Sequence, residues 1–133
     1  PAPCPAVAYR MAALRREEAD LKARIARRVE RMFAAGLVDE VRRMSEGRGL
    51  CVSARKAIGY REVLRHLAGE WTLAETVAQV ERNTWRLARK QRAWLKSFPG
   101  VMWLDVKPEE DVESVVGRAR EMLFGPAEAP CRS

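Results

Sequence analysis

Residues 72–98 read TLAETVAQVERNTWRLARKQRAWLKSF, and the spacing within this stretch decides what kind of fold the chain adopts. At 100° per residue, Leu73, Val77, Val80, Thr84, Leu87, Gln91, Trp94, Leu95 and Phe98 fall in a sector about 100° wide, as in a single amphipathic helix. Thr72 supplies an N-cap hydroxyl, and Glu75 three residues later completes a capping-box pattern. Pro99-Gly100 ends the run, since proline cannot donate a backbone N–H and glycine favours turns. The same wheel places Arg82, Arg86, Arg89 and Lys96 within about 60° of one another, opposite the apolar sector, with Trp85, Lys90 and Arg92 at the edges.

Charge is concentrated on this helix. The chain of 133 residues carries a net charge of +7, and residues 82–96 hold six cations (Arg82, Arg86, Arg89, Lys90, Arg92 and Lys96) without a carboxylate. The remainder is therefore close to neutral. A merely solvated helix face usually intersperses glutamates that pair with cations at i,i+4, and this one has none. Concentrated positive charge suits a polyanion, so the stripe is read as a phosphate-backbone contact, silent about which nucleic acid.

Outward from this helix the chain continues in short amphipathic segments. Residues 7–14 read as a weak strand. Over residues 16–35, Leu21, Ile25, Val29, Met32 and Phe33 recur at helical spacing, with Gly36 as a stop. Leu37, Val38, Val41 and Met44 mark a second helix, which ends at Glu46-Gly47-Arg48-Gly49. Ser53 is the expected N-cap of a third helix reaching Ala68. Val101, Met102, Trp103 and Leu104 form an expected strand and residues 109–124 a last helix. The expectation is one unit over residues 1–125, mainly α-helical, with four to five helices, two short strands and a disordered tail at 126–133. Two four-residue strands make a poor sheet by themselves, so the chain reads as incomplete, with Trp103 and Leu104 exposed.

Residues 55–62, RKAIGYRE, place a glycine inside an otherwise helical pattern, at a cost of roughly 1 kcal/mol relative to alanine. Gly59 starts a helix, permits close helix packing with Tyr60 in the core, or lets a nucleic acid approach the backbone beside Lys56, Tyr60 and Arg61. Spacing alone leaves these open. On the first helix Arg24 and Arg28 are i,i+4 neighbours that either cover apolar surface or converge on one anion.

Other chemistry is excluded or unsupported. Cys4, Cys51 and Cys131 are far apart, and His66 is the single histidine, so a disulfide framework or a zinc site is not expected. No apolar run approaches the roughly 18 residues that span a bilayer, and no signal peptide is legible, which makes the cytoplasm the default. The chain contains no Gly-Lys dipeptide, hence no G-x-x-x-x-G-K-[ST] phosphate loop, and no nucleophile–histidine pair.

Four blocks together, RIARRVERMFAAGLVDEVRRM, ARKAIGYREVLRHLAGEWTLAETV, RNTWRLARKQRAWLK and VMWLD, resemble the C-terminal part of bacterial tRNA dimethylallyltransferases, also called tRNA isopentenyltransferases. Order and gaps match from about residue 14 to residue 105. The resemblance implies an α/β, phosphate-loop kinase-like fold and transfer of a dimethylallyl group from its diphosphate to N6 of the adenosine 3′ of the anticodon. It implies Mg²⁺ beside the diphosphate, held by none of these residues, and the tRNA anticodon stem-loop as partner.

Carried over residue by residue, the resemblance makes Lys56, Ala57, Ile58, Gly59, Tyr60 and Arg61 tRNA contacts. It does the same for Arg89, Lys90, Gln91, Arg92, Ala93, Trp94, Leu95 and Lys96, alongside Arg82 and Arg86 of the stripe. Arg24 and Arg28 match a family R-I-x-x-R-V pattern, as contacts to the diphosphate or the RNA. Where the family writes K-R-Q-x-T-W-F-R, this chain has R-K-Q-R-A-W-L-K, so Ala93 replaces a hydroxyl-bearing residue. The family's phosphate loop, the acidic residue that acts as base on the adenine amine and the inserted helical region have no counterpart in these residues. No catalytic residue is therefore assigned, and the chain by itself is expected to be inactive. The alternative is a stand-alone basic helical module that binds tRNA or another RNA without catalysis.

Overall fold

The structure, a computed structural model, describes residues 9–47 and 49–125. The expected disordered tail, Cys4, Cys131 and the start of the expected first strand lie outside the described residues. The order of elements is β1 (Ala12–Arg15), α1 (Glu18–Ala34), α2 (Leu37–Glu46), α3 (Val52–Lys56), α4 (Tyr60–Leu67), α5 (Leu73–Leu95), β2 (Met102–Asp105) and α6 (Val112–Phe124). The described residues divide into two compact units, a helical one within residues 19–91 and a strand-containing one formed by residues 9–18 and 92–125.

Six helices are present among the described residues, against the four to five expected, because the expected third helix is broken at Ala57-Ile58-Gly59. Ser53 does not cap it. Cys51 occupies the cap position without a side-chain hydrogen bond, and Ser53 lies within α3. Gly59, with φ 99°, is the N-cap residue of α4, and this left-handed value is one that residues with a Cβ rarely adopt. The glycine therefore marks a helix start.

The helical unit buries two adjoining clusters. Leu37, Val41, Leu50 and Val63 form one, with Met32, Phe33, Tyr60 and Leu64 packed around them. Ile25, Val29 and Val80 form the other, covered by Leu21, Phe33, Ile58, Val77 and Trp85. Phe33 belongs to both shells. Gly36 (φ 94°) joins α1 to α2, and the turn it allows sets Leu37 and Val41 against α4. At the start of α5 the expected capping box forms: Glu75 N–H donates to Thr72 Oγ1 at 3.2 Å and Thr72 N–H to Glu75 Oε2 at 2.8 Å. The apolar sector is only partly used, however. Val80 is buried, whereas Leu73, Leu87 and Trp94 are exposed.

In the strand-containing unit β1 and β2 pair in parallel, with Ala12 opposite Met102 and Arg15 opposite Asp105. α6 packs on both strands. Ala13, Leu104 and Val106 are buried, so the expectation of an exposed Leu104 is overturned and Trp103 is half-buried. Among the described residues of this unit, the large apolar side chains left in water are instead Tyr9, Leu14, Trp94 and, on α6, Val112, Val116 and Phe124. α6 starts at Val112, later than expected, because Asp111 caps it by accepting the Ser114 N–H at 2.8 Å. An added Cβ at Gly117 within α6 would meet open space. Gly117→Ala is expected to raise stability by about 0.5–1 kcal/mol, read as a higher urea midpoint with unchanged slope.

Candidate nucleic-acid interface

The α3–α4 turn and α5 bring together most of the predicted contact residues. Lys56, Ala57 and Arg61 are exposed at the turn, while Ile58 and Tyr60 are half-buried and Gly59 is buried. Ile58 packs on the second core cluster and Tyr60 on the first. The Tyr60 hydroxyl donates to Glu40 of α2, and that bond raises the pKa of the phenol. A Cβ on Gly59 would make only ordinary contacts with Met32 and Leu37. Conformation, rather than crowding, is what requires glycine there.

Glu62 holds this turn. Its side chain is 1% exposed. Oε2 accepts the Gly59 N–H at 2.7 Å, the N3 half of a capping box in which glycine offers no hydroxyl. Oε1 accepts Arg61 Nε at 3.0 Å and Nη2 at 2.6 Å, and Asn83 Nδ2 of α5 at 2.8 Å. Burial pushes the Glu62 carboxyl upward, but the bonds from Arg61, Gly59 and Asn83 outweigh it and hold the pKa below the ordinary carboxylate value. A depressed folded-state pKa contributes stability above the unfolded value, near 4.3, that is lost as pH falls through the folded value. The urea midpoint is thus expected to fall below about pH 4, and Glu62→Gln to flatten that part of the profile.

Along α5, Arg82, Arg86, Arg89 and Lys90 are exposed. None of the four has an ion pair or side-chain hydrogen bond among the described residues. Arg82, Arg86 and Arg89 stand at i, i+4 and i+7 on one face. Trp85 is half-buried beneath Lys22, whose Nζ lies 4.9 Å from the ring centroid. Gln91 is exposed.

Arg92, Ala93, Trp94, Leu95 and Lys96 belong to the strand-containing unit. Arg92 is half-buried there, and its Nε is buried without a partner. Arg92 lines a cavity of about 380 Å³ with Arg15, Arg16, Glu17, Asp105 and Lys107. Ala93, Trp94 and Lys96 are exposed and Leu95 half-buried. Trp94 is 61% exposed and meets Phe98 edge-on, with centroids 4.6 Å apart.

Arg24 and Arg28 lie one turn apart on α1 in different surroundings. The Arg24 Nε donates to both Asp20 oxygens at 3.1 Å, so Asp20 is the anion Arg24 meets. Arg28 stands at the rim of a largely apolar cavity of about 460 Å³ lined by Leu21, Ile25, Val29, Ile58 and Leu87. Glu62, Asn83 and Asp20 were not expected from the sequence as site residues. Glu62 lies three residues after Gly59, a legible N3 signal, whereas nothing local marks Asn83 as its partner.

A family model described as IPP transferase matches residues 2–98. A tRNA dimethylallyltransferase 1 of Pelobacter propionicus is 46% identical over 93 residues, covering 69% of this chain and 30% of that protein. A tRNA dimethylallyltransferase of Streptomyces coelicolor is 51% identical over 87 residues, covering 64% and 28%. The crystal structure of a full-length tRNA isopentenylpyrophosphate transferase from Bacillus halodurans superposes with a TM-score of 0.74 at 32% identity, over 85% of this chain and 37% of that one. A Staphylococcus epidermidis structure, at TM-score 0.69 and 22% identity, supports the fold. The chain spans about a third of the length of the curated relatives it matches.

Proposed function

Because the chain belongs to the IPP transferase family, we propose that it is the tRNA-holding part of a dimethylallyltransferase. In that reading the whole enzyme carries a dimethylallyl group from its diphosphate to N6 of the adenosine 3′ of the anticodon. The observation that carries the RNA reading is the row of cations at Arg82, Arg86 and Arg89, unpaired among the described residues. Cations with no protein partner remain available to phosphates, and each neutralised phosphate releases condensed counterions. Lys56 and Arg61 extend the same charge at the turn. Exposed Trp94 offers a ring face for base stacking.

The parallel pair β1–β2 is consistent with a phosphate-loop kinase-like α/β sheet, since parallel strands are ordinarily buried on both faces and paired further. The Arg28 rim and the apolar cavity beneath it suit the diphosphate and the dimethylallyl chain, respectively. The Mg²⁺ that the family resemblance implies would sit beside the diphosphate, and no residue of this chain is assigned to it. No described helix is long and apolar enough to cross a membrane, and a tRNA substrate would suit a cytoplasmic enzyme.

Binding of an unmodified tRNA transcript to the 133-residue chain across a salt series tests this. The expected result is log–log slope of −2 or steeper, with no prenyl transfer when dimethylallyl diphosphate is added. Salt-independent or absent binding would remove the RNA reading, and turnover would show that the chemistry needs nothing beyond these residues. The second reading, an RNA-binding module without catalysis, shares the surface and predicts the same slope. It separates when the family's phosphate-loop portion is added to the assay and activity still fails to appear.

A further inference from the structure

Burying a carboxylate costs several kcal/mol unless its charge and lone pairs are met. Position 62 lies beside Val63 in the helical unit, where an apolar residue would fill space without that cost. Glu62 nevertheless ties three separate groups: the Gly59 backbone at 2.7 Å, the Arg61 guanidinium at 2.6 Å and the Asn83 amide at 2.8 Å. Asn83 is itself fixed by Gln79, whose Nε2 donates to its Oδ1 at 3.3 Å. It directly follows Arg82, the first cation of the stripe. The network therefore runs from an RNA-facing turn to the RNA-facing helix, and one of its members is itself an exposed cation.

We propose that Glu62, through Asn83, is a positioning residue for RNA: it orients Arg61 and fixes the turn to α5, so that both engage one polyanion together. This rests on the RNA-binding reading above. A carboxylate suits the task because its two oxygens can accept from three donors at once, whereas an amide would turn an N–H₂ toward at least one of them. The Arg61 bonds are charge-assisted, and a planar guanidinium gripped at Nε and Nη2 keeps a single orientation.

The test compares the unaltered 133-residue chain with Glu62→Gln, Arg61→Ala and the double variant. Each is measured for tRNA-transcript affinity at fixed salt, well below the melting temperature and with folding verified by circular dichroism. Both single variants are expected to bind about tenfold more weakly, roughly the value of one charge-assisted hydrogen bond. The double variant is expected to lose less than the product of the two single losses, since Arg61 acts only when held while the tie to α5 is lost once. Folded Glu62→Gln with unaltered affinity, or losses that simply multiply, would show a purely structural carboxylate and overturn the proposal. If Glu62→Gln does not fold, Asn83→Ala removes only the tie to α5 and is read by the same two criteria. Failure of the unaltered chain to bind tRNA overturns the RNA reading and this proposal together. Binding by the unaltered chain with no effect of Glu62 or Asn83 overturns this proposal alone.

Discussion

Replacing Arg82, Arg86 and Arg89 together by alanine is expected to lower tRNA affinity by roughly 10²-fold near 0.1 M salt and to make the log–log salt slope shallower by about 2 to 3. The arithmetic follows from counterion release, in which each phosphate contact contributes about −0.9 for duplex and −0.7 for single-stranded nucleic acid. The three side chains have no protein partner among the described residues. Their removal therefore strands no buried carboxylate and should leave thermal stability nearly unchanged. Alanine also has the best helix propensity, so α5 loses nothing locally. A matched control is Arg42→Ala on α2, where Asp39 takes the guanidinium at 2.9 Å; it should shift neither slope nor affinity. A control loss about a third of the triple variant's on a logarithmic scale, one charge against three, would point to net charge rather than to the stripe.

Gly59→Ala is expected to destabilise the chain by about 1–3 kcal/mol, the range for holding a residue with a Cβ in a sparsely populated backbone region. At φ 99° the strain comes from the residue's own backbone, because the nearest neighbours of an added Cβ are at ordinary contact distance. Enlarging the surroundings should thus give no relief: Met32→Ala in the Gly59→Ala background should add its own cavity cost and recover nothing. The measurement is urea unfolding followed by circular dichroism. Recovery on trimming Met32 would mean that crowding, and not dihedral strain, selects glycine. Gly117→Ala in α6 supplies the opposite sign from the same chemical change, since there the backbone is helical and the space is open.

How much of this was legible beforehand depends on whether a feature is local. Helix α1, with its apolar spacing and its stop at Gly36, could be read directly, as could the Thr72–Glu75 capping box, because these involve residues within one or two turns. The stripe on α5 was legible for the same reason: charge spacing on a helix is fixed by 3.6 residues per turn. Gly59 was visible as an anomaly, but its explanation was not, since a left-handed dihedral is decided by how α3 and α4 must both reach the core. The third helix was overextended because residues 53–68 carry helical periodicity on both sides of the break.

By itself the sequence determined the mainly helical character, the concentration of charge on one helix and the membership of a family whose blocks recur in order. These are properties of residue type and spacing, which survive without knowing what lies alongside. Tertiary structure alone decided the partners. Asp20 pairs with Arg24, Arg92 turns from the edge of a solvated stripe into a half-buried position, and Leu104 disappears beneath packing that includes α6. Glu62 meets Asn83 across 21 positions. Hydrogen bonds and ion pairs act over about 3–4 Å, a distance that chain order does not encode until the backbone has folded.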